Sequence, residues 1–183
     1  MRVATFNVNS VRARLPILSP WLVAHQPDAL CLQETKVQDA DFPAGDFRDA
    51  GFHVAFKGQK GYNGVAIVTK AEPRDVAVGL DDGGSPDEPR LIRATVAGVP
   101  VVNTYVPQGT DVGLPQFQYK LDWFRRLRRY FERHFTPAAP LLWVGDLNVA
   151  PAPIDVYDHA GLLGGVCHHP DEFAASANSF TRP

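Results

Sequence analysis

Leu141-Leu-Trp-Val-Gly-Asp-Leu-Asn148 is a short apolar run that ends on a carboxylate, and Ala29-Leu-Cys-Leu-Gln-Glu34 repeats the pattern much earlier in the chain. Unbroken apolar runs of this length read as strands covered on both faces, the kind found inside layered folds rather than on a half-wet sheet. A carboxylate placed directly after such a strand must be solvated, paired or bound to metal, because burying it bare is costly. The pattern therefore fixes two buried strands and marks their C-terminal ends as places of interest.

The rest of the chain fills in around these strands. Arg2 to Val8 alternates as a strand, with Val3 and Thr5 on one side and Ala4, Phe6 and Val8 on the other. Leu15 to His25 has near-helical apolar spacing, with Pro16 expected in the first turn and Pro27 closing the segment. Phe52 to Phe56 and Gly64 to Thr69 read as strands around the turn Lys57-Gly-Gln-Lys-Gly61. Gly79 to Pro89 has the chemistry of a loop, and Leu91 to Val96 and Val99 to Val106 form a hairpin through Gly98. Phe117, Leu121, Phe124, Leu127, Phe131 and Phe135 recur at intervals of three and four, which makes Gln116 to Phe135 an amphipathic helix. Beyond Pro151 no periodicity returns, and Ser176 to Pro183 is expected to stop without a closing helix or strand. Strands alternating with helices and with other strands argue an α/β (α+β) layered fold, read as one domain over residues 1–183.

Composition narrows the class. The 183 residues are 45% hydrophobic and 21% charged, which excludes a disordered or fibrous chain. No apolar run approaches the ~20 residues of a membrane span, so no membrane partner is expected. Cys31 and Cys167 are too few for a disulfide scaffold and fit a reducing, cytoplasmic setting. A net charge of −2 excludes a generally cationic nucleic-acid binder. The charges are nonetheless segregated: Lys120 to His134 carries six Lys/Arg against Asp122 and Glu132, and Glu72 to Glu88 carries six acids against Arg74. Both runs read as solvated faces.

Four chemistry-bearing positions close predicted strands: Asn7, Glu34, Tyr105 and Asp146, with Asn148 two residues beyond Asp146. Side chains two apart on an extended chain share a face, so Asp146 and Asn148 are expected to look into one site. Carboxylates and amide oxygens without a Cys/His cluster make a hard-oxygen set suited to Mg²⁺ rather than zinc. Mg²⁺ beside a tyrosine hydroxyl and an asparagine amide is chemistry for a phosphate group. Any one of these residues alone is read more simply as an Asx-turn or a helix cap, so the case rests on the joint pattern. The other candidates are weaker. Asp158-His159 and His168-His169 read as surface pairs, and Cys31 as a buried structural thiol.

Five blocks then appear in order: Thr5-Phe-Asn-Val-Asn-Ser-Val-Arg-Ala-Arg14, Leu32-Gln-Glu-Thr-Lys36, Gly61-Tyr-Asn-Gly-Val-Ala66, Asn103-Thr-Tyr-Val-Pro-Gln-Gly109 and Gly145-Asp-Leu-Asn-Val-Ala-Pro151. Together they closely resemble the exodeoxyribonuclease III branch of the apurinic/apyrimidinic endonucleases, within the endonuclease/exonuclease/phosphatase superfamily. The resemblance runs from Met1 to about Phe173. It implies a four-layer sandwich of two mixed β-sheets flanked by helices, and Mg²⁺-dependent (or Mn²⁺-dependent) hydrolysis of duplex DNA at abasic sites and 3′ ends, by a monomer. Carried over motif by motif, Glu34 would be the main metal carboxylate with Asn7 beside it, and Lys36 would hold Glu34. Tyr105 would contact the scissile phosphate or assist the leaving group. Asp146 would orient the attacking water or protonate the leaving oxygen, and Asn148 would steady the phosphate.

One departure stands out. The family's closing Ser-Asp-His motif, which supplies a catalytic base, has no counterpart in these 183 residues, and Asp158-His159 lies in the wrong place to substitute. The chain is thus expected to lack the C-terminal part of the fold, with strand edges left open. Two other readings stay in view: a superfamily phosphodiesterase acting on RNA or phosphoinositide, and a non-catalytic DNA-binding or interaction module.

Overall fold

The computed structural model describes residues 1–83 and 88–180. In chain order the elements are β1 (Val3–Asn7), α1 (Val11–His25), β2 (Ala29–Gln33), α2 (Ala44–Asp49), β3 (His53–Lys57), β4 (Val65–Thr69) and β5 (Arg74–Val78). Then follow β6 (Leu91–Val96), β7 (Val99–Tyr105), α3 (Pro115–His134), β8 (Leu142–Asp146), α4 (His159–Leu162) and α5 (Pro170–Phe180). The expected loop from Gly79 to Pro89 lies partly outside the described residues. The chain divides into two compact units: residues 1–105 with 140–146, and residues 106–139 with 147–183.

The first unit holds both sheets, one with strand order β1-β2-β4-β3 and one with order β5-β6-β7-β8. Each is mixed. β1 runs parallel to β2 and β7 parallel to β8, while the remaining pairs are antiparallel. β2 and β4 are buried along their whole length, as their apolar runs require. Ala29, Cys31, Val65 and Ile67 face Ile92, Ala94 and Val101 to form the core between the sheets. Leu30, Leu32, Ala66 and Val68 look the other way, onto Leu18 and Leu22 of α1 and Phe47 of α2.

Three local readings differ from expectation in this unit. α1 starts at Val11 rather than Leu15, because Ser10 caps it by accepting the Ala13 amide at 3.4 Å. Pro16 and Pro20 then lie inside the helix, not in its first turn. Both are exposed and one turn apart, so the carbonyls that they leave unpaired face water. β8, expected as a buried strand, is only half-buried throughout. It is an edge strand, as β1 is, and these two edges pack on each other. Trp143 on β8 donates its indole N–H to Thr104 Oγ1 at 2.8 Å, which ties the edge to β7.

The second unit is helical. The amphipathic spacing of α3 buries Phe117, Leu121, Phe124 and Leu127, and α3 packs on α5. The segment beyond Pro151, expected as loop, thus contains α4 and α5. Its periodicity is hidden because α5 is short and its small residues, Ala174 to Ser176, carry little hydropathic contrast. Lys120 is the main correction here. It belongs to the run that reads as a solvated basic face, yet it is fully buried and paired with a fully buried Glu172 at 2.5 Å. Its ammonium also donates to the Gln108 carbonyl at 3.2 Å and the Asn148 carbonyl at 2.5 Å. One cation therefore satisfies a carboxylate and two loop carbonyls at once.

Two stability predictions follow from these contacts. Gly145 has φ +136°, and a Cβ there would lie 2.0 Å from the Thr104 carbonyl oxygen across the β7–β8 ladder. Gly145→Ala is expected to cost about 3 kcal/mol or more, read as a lowered denaturation midpoint. Lys120→Met strands a buried carboxylate and is expected to cost about 3–5 kcal/mol. Lys120→Met with Glu172→Leu should be the more stable of the two variants in the same assay, because the unpaired charge is gone.

Candidate active site

Strand geometry brings the predicted residues together. Asn7 closes β1, Glu34 follows β2, Tyr105 closes β7 and Asp146 closes β8. In the parallel β7–β8 pair, Tyr105 stands directly opposite Asp146. The Asn7 side-chain amide donates to Glu34 Oε1 and to Asp146 Oδ2, both at 2.7 Å. Two carboxylates from different sheets thus converge on one donor. The Tyr105 hydroxyl stands within hydrogen-bonding reach of Glu34, whose other oxygen, Oε2, lies 2.9 Å from the Lys36 ammonium. Lys36 also donates to Asn9 Oδ1, so Asn9 orients the lysine that holds Glu34.

Backbone conformation at this corner is unusual. Glu34, Lys36 and Asn9 have φ of 53°, 55° and 42°, in the left-handed region that non-glycine residues seldom occupy. Such residues persist only where neighbours over-determine them, and they cluster at functional sites. Here the supporting bonds are visible. The Ser10 amide donates to the Glu34 carbonyl, the Thr35 amide to Gly64 and the Lys36 amide to Asn63. Gly64 is required: with φ +96°, a Cβ would meet Thr35 Oγ1 at 2.0 Å. This accounts for the glycine in Tyr62-Asn-Gly-Val.

The electrostatics follow from the same contacts. Burial by itself raises the Glu34 carboxyl, but the Asn7 and Lys36 hydrogen bonds, the Lys36 charge and the Tyr105 hydroxyl outweigh it and hold Glu34 below the ordinary carboxylate range. The Tyr105 hydroxyl is pushed up to about 12 by burial and by the negative charge of Glu34. It therefore remains a proton-bearing donor across the neutral range. Cys31, expected as a structural thiol, is fully buried and likewise pushed up to about 12 by burial.

Asn148 stands apart from the extended-chain argument. β8 ends at Asp146, Asn148 has φ +48°, and its amide donates to the Val106 carbonyl at 2.8 Å. Both partners belong to the second unit, where the Lys120 ammonium holds the Asn148 backbone oxygen. His168 is not the surface residue that the sequence suggests. It is 2% exposed, with Nδ1 against the Ala150 carbonyl at 2.5 Å and Nε2 against His159 Nδ1 at 2.9 Å. Asp158 caps α4 by accepting the Gly161 amide at 2.9 Å, so Asp158-His159 forms no dyad.

The sequence reading also passes over Gln33, Asn103 and Arg90. Gln33 and Asn103 are hidden because a lone amide in an apolar strand carries no pattern. Arg90 stands beside Glu88 and before a strand, as many solvated arginines do.

As a metal site, the set is spare. Among the described residues no group of three or more His, Cys, Asp and Glu is placed to hold an ion. What is present is two carboxylates and an amide around one donor position. That suits Mg²⁺, which is commonly bound by one or two carboxylates together with substrate phosphates and water. Glu34 and Asp146 fit that donor chemistry, with the Asn7 amide lying between them where positive charge is called for.

The chain is similar to known proteins in sequence and in fold. The model of the endonuclease/exonuclease/phosphatase family matches residues 4–180. Exodeoxyribonuclease III of Haemophilus influenzae is 34% identical over 161 residues, spanning 85% of this chain and 60% of the relative. An AP endonuclease structure from Archaeoglobus fulgidus matches with 47% identity and a TM-score of 0.94, over 98% of this chain and 70% of that one. A 3′-5′ exonuclease from Neisseria meningitidis matches with 38% identity and a TM-score of 0.95, again over 98% and 70%. The chain thus spans roughly three-fifths of the length of the Haemophilus relative. The two mixed four-stranded sheets are those of the AP endonuclease structures. With the family model matched along nearly the whole sequence, the chain belongs to the endonuclease/exonuclease/phosphatase family.

Proposed function

We propose that this chain carries the acidic half of a Mg²⁺-dependent DNA-repair phosphodiesterase, acting on duplex DNA at abasic sites and 3′ ends. The observation that carries the reading is the Asn7 amide shared between Glu34 and Asp146 at 2.7 Å each, with the Tyr105 hydroxyl on Glu34. The DNA substrate is supported by the relatives, among them a Neisseria 3′ phosphatase solved with a product DNA hairpin. Mn²⁺ is an alternative occupant of the same oxygen set.

Each residue has a defined task in this reading. Glu34 is ionised at neutral pH and would hold the metal, with the Asn7 amide bonded beside it; Lys36 and Asn9 fix its rotamer. Bound there, Mg²⁺ supplies Lewis-acid polarisation of a phosphoryl oxygen. Tyr105 keeps its proton, and with substrate bound its single O–H would turn from Glu34 to a phosphate oxygen whose charge grows during displacement. Asp146, opposite Tyr105 on the neighbouring strand, orients the attacking water or returns a proton to the leaving oxygen.

Incision of a duplex carrying one abasic site, with Mg²⁺ and with EDTA, tests the reading. Mg²⁺-dependent incision is expected, reduced about 10²–10⁴-fold in Asp146→Asn. Glu34→Gln should move the Mg²⁺ dependence to higher concentration. A folded protein without incision would instead support the non-catalytic module, and equal Mg²⁺ response in wild type and Glu34→Gln would remove the metal role assigned to Glu34.

A further inference from the structure

Arg90 lies immediately before β6, with its side chain only 12% exposed, and it contacts both Glu88 and Tyr105. The Tyr105 amide donates to the Arg90 carbonyl at 2.7 Å, which places the two residues side by side across the β6–β7 ladder. Arg90 Nη1 returns a bond to the Tyr105 carbonyl at 3.4 Å. The guanidinium carbon stands 4.7 Å from the centroid of the Tyr105 ring. Arg90 Nε is in turn held by Glu88 Oε2 at 2.5 Å, so the guanidinium plane is fixed from its far side.

A cation over an aromatic face is attracted by the ring quadrupole, more strongly when both are withdrawn from water. Guanidinium adds planarity, because it stacks on a ring while its edge still donates hydrogen bonds, which an ammonium cannot do. The Tyr105 ring is therefore gripped on its face and at its backbone, and its hydroxyl lies between the Arg90 guanidinium and the Glu34 carboxylate.

We propose that Arg90 is a positioning residue for the reaction: its guanidinium, braced by Glu88, clamps the face of the Tyr105 ring so that the hydroxyl is held beside the Glu34 carboxylate, ready to turn to the substrate phosphate. Arg90 acts through Tyr105, on its ring face, its backbone and its hydroxyl. The proposal rests on the phosphodiesterase reading for its kinetic consequence, but the clamp itself is a property of the free protein.

The test combines kinetics with a spectroscopic readout. Arg90→Gln should lower kcat about tenfold with KM little changed. Arg90→Lys should fail to rescue it, since charge returns without the planar stack. Combined with Tyr105→Phe, Arg90→Gln should add almost nothing to the loss from Tyr105→Phe alone, because both remove the same delivered hydroxyl. Independent losses that multiply, an effect on KM alone, or full rescue by lysine would each overturn the clamp. Aromatic-ring NMR of the free protein supplies the second arm. Tyr105 should show a slowly flipping ring with shifts moved by the stacked cation, and a fast, symmetric ring in Arg90→Gln, with thermal melting confirming that the variant is folded. An unchanged ring signal overturns the proposal whatever the activity. A wild type without incision but with the ring signal lost in Arg90→Gln would retain the clamp and reject only the catalytic reading.

Discussion

Everything at the site depends on a buried amide pair one step beneath it. Asn103 on β7 is fully buried between the sheets; it accepts from Gln33 Nε2 at 2.6 Å and donates to the Leu32 and Ala66 carbonyls at 2.9 and 3.0 Å. Gln33 also donates to Thr5 Oγ1 at 2.9 Å. Four strands, β1, β2, β4 and β7, are thereby linked by two side chains in a layer otherwise filled by aliphatic contacts. Aliphatic contacts are non-directional and would tolerate one sheet sliding over the other. Buried amides do not, since any slip leaves donors and acceptors unpaired in an apolar layer. Glu34 is the residue after Gln33, and Tyr105 lies two after Asn103. Register at the buried amide pair therefore becomes register at the site.

The charge balance is a consequence of that register. A carboxylate brought this close to an apolar layer would be driven toward its neutral form, yet Glu34 is held ionised by donors from three directions: Asn7, Lys36 and Tyr105. The same closeness works on Tyr105 in the opposite sense, where burial and the Glu34 charge keep the phenol protonated. One contact thus separates an obligate anion from an obligate proton donor, which is the pairing that phosphoryl transfer asks for: negative oxygens for a cation and a proton-bearing donor for the phosphate. Left-handed backbone at Asn9, Glu34 and Lys36 is the cost of bringing all three donors onto one carboxylate.

How much of this the sequence discloses depends on whether the information is local. β2, β4 and α3 were legible because their burial is written into apolar periodicity. Asn7, Glu34, Tyr105 and Asp146 were legible because a polar residue closing an apolar strand has few bland explanations when it recurs four times. The extent of α1 was misread because proline chemistry speaks against a helix interior, whereas exposure of Pro16 and Pro20 on one face makes it tolerable. Lys120 and His168 were misread for a different reason. Their burial is set by Glu172, Ala150 and His159, residues distant in sequence, and nothing in the local pattern of α3 or of the segment after Pro151 distinguishes a buried ion from a solvated one. Arg90 is illegible on the same ground, since its partner Tyr105 is reached only through hairpin pairing.

The division between strand ends and loops also bears on the departure from the family motif. Asn7, Glu34, Lys36, Tyr105 and Asp146 belong to one unit, and their mutual bonds involve no residue outside it. Assembly of the acidic pair therefore does not wait on a histidine, and no Ser-Asp-His occurs in these 183 residues. Metal affinity is governed by the number and placement of oxygen donors, of which these strand ends bring two carboxylates together. Proton transfer is governed by a group within hydrogen-bonding reach of the attacking water, a separate requirement from metal affinity. A site built this way separates two demands physically: the fold's interior specifies where the two carboxylates stand, and moving a proton is a separate demand on a single group.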